Sequence, residues 1–262
     1  MLRPRIIPCL LIHEKGLVKT VQFSNPKYVG DPINAVRIFN EMEVDELVVL
    51  DIDATKENRE PDYKMISHLA EECRMPLCYG GGVTTRDQVR KIIGLGVEKV
   101  AISSAAVLNP GLIREAADEL GNQSIVVIMD VKKRHLSSKY EVRILNGTKS
   151  TGKNPVEMAI EIENLGAGEI VINSIDNDGV MKGYDLTLVE KIRNSVKVPM
   201  TVLGGAGSLM DIATLFKKFG TLGAAAGSLF VFKGQYRAVL INYPSRTEKD
   251  SLITQNIYSP LA

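Results

Sequence analysis

Eight short, mostly apolar runs rich in β-branched residues recur along this chain, and their number and spacing constrain its fold more than any other feature. They are IIPCLLI (6–12), LVVLDID (47–53), PLCYG (76–80), KVAISS (99–104), SIVVIMD (124–130), EIVINSI (169–175), VPMTVLG (198–204) and LGAAAGS (222–228). Helix-like segments lie between them. Asp31-Pro32 opens INAVRIFNEM, Asp62 caps YKMISHLAEEC, Thr85 precedes RDQVRKIIGLG, Asn109-Pro110 precedes GLIREAADELG, and Asn154-Pro155 precedes VEMAIEIENLG. Apolar strands alternating with helices predict a parallel sheet covered by helices. An open doubly wound sheet shares that alternation. Eight strands in 262 residues fit a closed (β/α)8 TIM barrel better.

An internal repeat strengthens the barrel expectation. DELVVLDID (45–53) parallels GEIVINSID (168–176), and PLCYGGGVTTRDQ (76–88) parallels PMTVLGGAGSLMD (199–211), both at an offset of 123 residues. One shared offset is what a duplicated half-barrel leaves. The chain is therefore expected to form a single barrel domain over 1–262, with half-barrels at about 1–122 and 123–240 and an atypical tail at 233–262. In that tail KGQYRAVLINYPSR lacks a helical period, so the usual final helix is expected to be replaced or shortened.

Charge excludes some classes of partner. Thirty-two Lys and Arg against 31 Asp and Glu leave a formal +1, so no bulk field favours nucleic acid or an anionic membrane. Any anion must be held by local geometry. Cys9, Cys73 and Cys78 have neither disulfide nor zinc spacing, which favours a reducing compartment. The N-terminal apolar run is short and reads as a first strand rather than a signal peptide, and no stretch has the length of a membrane helix. A cytoplasmic protein without metal or cofactor is expected.

In barrels the reactive groups gather at the C-terminal ends of the strands. There the third strand ends in Gly80-Gly81-Gly82, the fourth in Ser103-Ser104, the seventh in Gly204-Gly205-Ala206-Gly207, and the eighth in Gly227-Ser228. Glycine lets backbone N–H groups approach an anion, although a tight βα turn can need glycine with nothing bound. Matching clusters in both halves suggest a substrate phosphorylated at both ends. Carboxylates end other strands: Asp51 and Asp53 the second, Asp130 the fifth, with Asp176 and Asp178 after the sixth. Each could transfer protons, or could simply pair with a lysine such as Lys19 or Lys132. Opposite Asp130 in the repeat, Leu10-Leu11-Ile12 offers no carboxylate. At the other strand ends stand Arg5, Glu46, Lys99 and Glu169, which could form an ion-pair ring around the axis or be solvated charges. His68 and His135 read as surface residues; His13 lies at the mouth without triad partners.

Arg5-IIPCL, Lys19, GDP (30–32), DELVVLDID, PLCYGGGV, KVAISSAAVLNP, the Asp130 strand, GAGEI, SIDNDG with GYD (183–185), and LGGAG together resemble the cyclase subunit family of imidazole glycerol phosphate synthase, from about residue 3 to 232. The resemblance implies a barrel that receives ammonia from a separate glutaminase docked on its N-terminal face. It also implies cleavage and cyclisation, at the mouth, of a bis-phosphorylated ribulosyl aminoimidazole intermediate of histidine biosynthesis. By position it makes Arg5, Glu46, Lys99 and Glu169 the ammonia gate, and Asp130 a catalytic aspartate. Lys19 falls on a flexible mouth-loop lysine, and Asp178 is carried with them as a catalytic candidate. Gly82, Ser103, Ser104, Gly179, Gly205, Gly227 and Ser228 fall on the phosphate sites, beside Gly81 and Gly204. The family's second catalytic aspartate falls on Leu11, which can neither donate nor accept a proton. That departure, with the tail, resembles a paralogous branch that supplies ammonia to a third enzyme amidinating a sugar in surface-polysaccharide, including lipopolysaccharide, biosynthesis.

Overall fold

The computed structural model describes residues 3–134 and 137–258. His135 and the tail residues 259–262 lie outside the described residues. Eight parallel strands close into a barrel: β1 (Arg5–His13), β2 (Leu47–Asp51), β3 (Leu77–Gly80), β4 (Lys99–Ile102), β5 (Ile125–Lys133), β6 (Glu169–Ser174), β7 (Met200–Leu203) and β8 (Gly223–Ala226). Each pairs with the next, and β8 returns to β1 with Arg5 opposite Gly223. The fold is a (β/α)8 TIM barrel, and the open-sheet alternative is excluded.

Among the described residues, eight helices of eight residues or more surround it: α1 (Pro32–Glu41), α2 (Tyr63–Glu72), α3 (Arg86–Gly94), α4 (Gly111–Leu120), α5 (Pro155–Asn164), α6 (Leu186–Arg193), α7 (Leu209–Phe219) and α8 (Arg246–Ile253). Their starts follow from the residues that satisfy orphan N–H groups. Asp31 accepts from the Asn34 N–H and Asp62 from that of Met65, while Thr85 with Gln88 and Ser208 with Asp211 form capping boxes. Between helices and sheet lies the larger apolar layer, including Phe39, Leu69, Ile92, Ile113, Ile162 and Phe216. A second, smaller cluster fills the barrel itself: Ile7, Cys9, Val48, Cys78, Ala101, Val126, Ile128, Val171, Leu203 and Ala225. Because side chains alternate across a strand, that cluster fixes which residues face the axis. The floor takes Arg5, Glu46, Lys99 and Glu169; the mouth takes Leu11, Asp130 and Asn173.

Two antiparallel extensions rise from the mouth. One continues β1 through Gly16–Val21 and Ser24–Gly30; the other continues β5 through Tyr140–Ile144 and Lys149–Ser150. The tail keeps a final helix, set beyond an extended stretch. Residues 232–239 form a two-residue-per-side hairpin and 240–245 run without a helix, but a helix does follow. It is α8, whose Ser245–Glu248 capping box starts it beyond the aperiodic stretch.

Candidate active site

The mouth cavity is bounded by strand ends and by the first hairpin. Leu11, Lys19, Thr20, Asp51, Gly81, Gly82, Ser103, Ser104, Asp130, Asn173, Asp178, Gly227 and Ser228 all contribute to its wall. Ten of the residues read from sequence as mouth chemistry or phosphate contacts therefore meet in one space. Gly179, Gly204 and Gly205 do not line it. All three are closely packed: a Cβ on Gly179 would lie 2.1 Å from the Thr20 carbonyl oxygen, and one on Gly205 2.1 Å from that of Gly183.

Asp130 is the most perturbed carboxyl of the mouth. Burial raises it to about 7, opposed by a hydrogen bond from Asn173 Nδ2 at 2.9 Å and a longer one from Ser103 Oγ at 3.5 Å. No lysine pairs with it among the described residues. A carboxyl titrating near neutrality can take or give a proton at physiological pH. Asp178 is also raised by burial and accepts from Thr20 Oγ1 at 3.1 Å.

Lys19 does not sit in an open loop. It belongs to the hairpin strand Gly16–Val21, is buried, and donates to the Cys9 carbonyl oxygen. Burial lowers its pKa, making the neutral amine more accessible than in water. Asp51 accepts from the Asp53 and Ala54 N–H groups at 2.9 and 3.0 Å, so its partners are backbone donors rather than Lys19 or Lys132. Asp53 accepts from the Glu14 N–H and lies 2.8 Å from His13 Nδ1. Ser104 Oγ accepts from the Leu145 N–H, tying the fourth strand end to the second extension.

The floor residues are not separate solvated charges. Arg5 pairs with Glu46 and, at 2.7 Å, with Glu169; Lys99 Nζ lies 2.9 Å from both Glu46 and Glu169. The two carboxylates are buried and alternate with the two cations around the axis. Burial alone would raise Glu169, but Arg5, Lys99 and the Thr201 hydroxyl hold it down at about 2. Lys99 is held above its ordinary value, burial being outweighed by Glu169 and Glu46.

Sequence reasoning missed Asn173, Thr20 and Asn146 as wall residues. The register Asn173 to Asp130 across β6 and β5 is the missing information, since it puts the amide beside the carboxyl. Only a strand alignment would have exposed it.

The sequence matches the histidine biosynthesis protein family over residues 5–237. A Leptospira borgpetersenii protein provisionally named imidazole glycerol phosphate synthase subunit HisF is 58% identical over 252 residues, covering 96% of this chain and 99% of that protein. A Vibrio vulnificus protein provisionally named subunit hisF3 is 60% identical over 249 residues, covering 95% and 96%. The imidazole glycerol phosphate synthase subunit HisF of Lactococcus lactis subsp. cremoris is 42% identical over 230 residues, covering 88% and 89%. This chain belongs to the histidine biosynthesis protein family, among the imidazole glycerol phosphate synthase subunits HisF.

Proposed function

We propose that this barrel is the ammonia-accepting subunit of a glutamine amidotransferase complex, one that passes ammonia onward rather than cyclising efficiently itself. A separate glutaminase docks on its N-terminal face, ammonia enters through the ring of Arg5, Glu46, Lys99 and Glu169, and the mouth binds a bis-phosphorylated or phosphosugar molecule. A third enzyme then uses the ammonia to amidinate a sugar in surface-polysaccharide biosynthesis. The barrel acts in the cytoplasm as one domain built from two halves.

One observation carries this reading: the mouth keeps Asp130 while Leu11 lines the wall where the family's second aspartate falls. Cyclisation requires an acid and a base on opposite faces of the ring, and each contributes roughly 10²–10⁴-fold. Leucine supplies neither function. The relatives support the same division, since the provisionally named ones share 53–60% of their residues with this chain and the Lactococcus subunits 39–42%.

A second reading, an active cyclase and lyase of histidine biosynthesis, draws on the retained Asp130 and its near-neutral titration. One assay separates the two. Purified barrel is given ammonium salt and the bis-phosphorylated intermediate. Turnover at least about 10²-fold below that of a Lactococcus subunit is expected; comparable turnover overturns the conduit reading. Leu11→Asp should then raise turnover if the remaining site is intact.

A further inference from the structure

The ladder between β1 and β2 stops short of the floor. Its register runs from Cys9 opposite Val48 to Ile12 opposite Asp51, and the lower ends carrying Arg5 and Glu46 lie below it. In a parallel pair, alternate residues turn their N–H and C=O toward one neighbour. Arg5 donates its N–H to Leu222 on the β8 side, so Ile6 turns both backbone groups toward β2. No strand backbone meets them there. Asp45 Oδ2 accepts from the Ile6 N–H at 2.9 Å, and the Ile6 carbonyl accepts from the Tyr243 hydroxyl at 2.7 Å. That same hydroxyl accepts from the Asp45 N–H at 3.3 Å. A tail side chain thus bridges two strands where a ladder bond would otherwise lie.

Lys249, in α8, completes the arrangement. Its side chain is 9% exposed, and its ammonium lies 2.7 Å from Asp45 Oδ1, 3.2 Å from the Glu43 carbonyl oxygen and 5.0 Å from the Tyr243 ring centre. A buried ammonium is costly unless paired, and Asp45 pairs it while also holding Ile6. Tyr243 packs in turn on Phe230, ring centres 5.3 Å apart. The residues so held, Ile6 and Asp45, are the chain neighbours of Arg5 and Glu46.

We propose that the tail is a clasp in which Tyr243 and Lys249 act as positioning residues for the floor ring, fixing the β1 and β2 ends from which Arg5 and Glu46 reach one another. The consequence for ammonia entry rests on the proposed role of that ring; the clasp itself does not. The clasp gives the aperiodic tail a function, because an extended stretch can bring Tyr243 alongside β1 before α8 begins.

The test is residue-resolved amide exchange on the whole barrel carrying Tyr243→Phe or Lys249→Met. Tyr243→Phe removes one oxygen and leaves the ring packed, so it should fold normally. The Ile6 and Asp45 amides should exchange at least tenfold faster, with Leu10 and Ile12, higher on the same strand, unchanged. Lys249→Arg should restore protection. Unchanged exchange at Ile6 and Asp45, or an equal rise at Leu10 and Ile12, overturns the clasp. In the assembled complex, both variants should lower the ratio of glutamine-supported to ammonium-supported rate at least twofold, as Glu46→Ala should. If Glu46→Ala lowers that ratio and the clasp variants do not, the tail does not position the ring and the proposal fails. If Glu46→Ala also leaves it unchanged, the gate reading fails instead, and amide exchange alone decides the clasp.

Discussion

Asn173 Nδ2 donates to Asp130 Oδ1 at 2.9 Å from the residue directly opposite on the next strand. The amide therefore favours the ionised carboxylate against the burial that raises it to about 7. A hydrogen bond to a charged group contributes about 1.5–3 kcal/mol, so Asn173→Leu should push the Asp130 titration upward by roughly one to two pH units. Carboxyl carbon NMR of the two proteins checks this, and an unmoved midpoint counts against the amide's role.

The raised Asp130 also has a sign in stability. An acid titrating higher folded than unfolded binds more protons in the native state, so its contribution weakens as pH rises from about 4 through 7. Asp130→Asn removes that dependence. Urea unfolding should show the variant gaining on the wild type between pH 5 and 8, by an amount on the order of 3 kcal/mol. A gap that is constant with pH would contradict the burial argument.

At the floor the sign reverses. Glu169 is held at about 2, below its usual range, by Arg5 and Lys99 in spite of burial. Its stabilisation is complete above about pH 4.5 and is lost as pH falls toward 2. Glu169→Gln should cost about 3 kcal/mol near neutrality and progressively less in acid. The midpoint difference between the two proteins, followed from pH 6 to 2.5, should close; persistence at full size would show that the pairs contribute little.

The barrel was legible because its strands are nearly all apolar and its turns carry glycine, proline and capping residues in order. The floor charges were legible as residues, and the ring only as one of two readings. Solvated charges beside strand starts have the same sequence signature, and only closure of the sheet brings Arg5 within reach of Glu169, which lies 164 positions away. The hairpin Gly16–Val21 with Ser24–Gly30 escaped notice because it is stabilised by pairing at the rim rather than by a periodic apolar face. That is why Lys19 was placed in a loop although it lies buried on a strand. Asn173 stayed hidden for a related reason: an asparagine inside a strand acquires meaning only from its register partner.

The left-handed glycines separate into two energetic classes. Gly81 has φ +120° and an added Cβ would lie 2.4 Å from the Asp51 carbonyl oxygen, so backbone must move. Gly234, at φ +71°, has nothing within 4 Å. Gly81→Ala should destabilise by about 3 kcal/mol or more, and Gly234→Ala by about 1 kcal/mol from the backbone conformation alone. Denaturant midpoints of the two variants check the contrast, and equal losses would mean that the Gly81 turn relaxes freely.

The three thiols should be nearly inert in the native protein. Burial pushes Cys9 and Cys73 up to about 11 and Cys78 well above its ordinary value, so the thiolate that reacts is scarce near pH 8, roughly one in a thousand for the first two. Cys9 and Cys78 are also fully enclosed, whereas Cys73 ends α2 and is only half-buried beside Met75. Labelling with an aromatic disulfide reagent should therefore modify Cys73 first and slowly, with Cys9 and Cys78 following only at the rate of unfolding. Rapid native labelling of Cys9, which also lines the mouth cavity, would mean that Lys19 and its hairpin open far more often than their buried contacts imply.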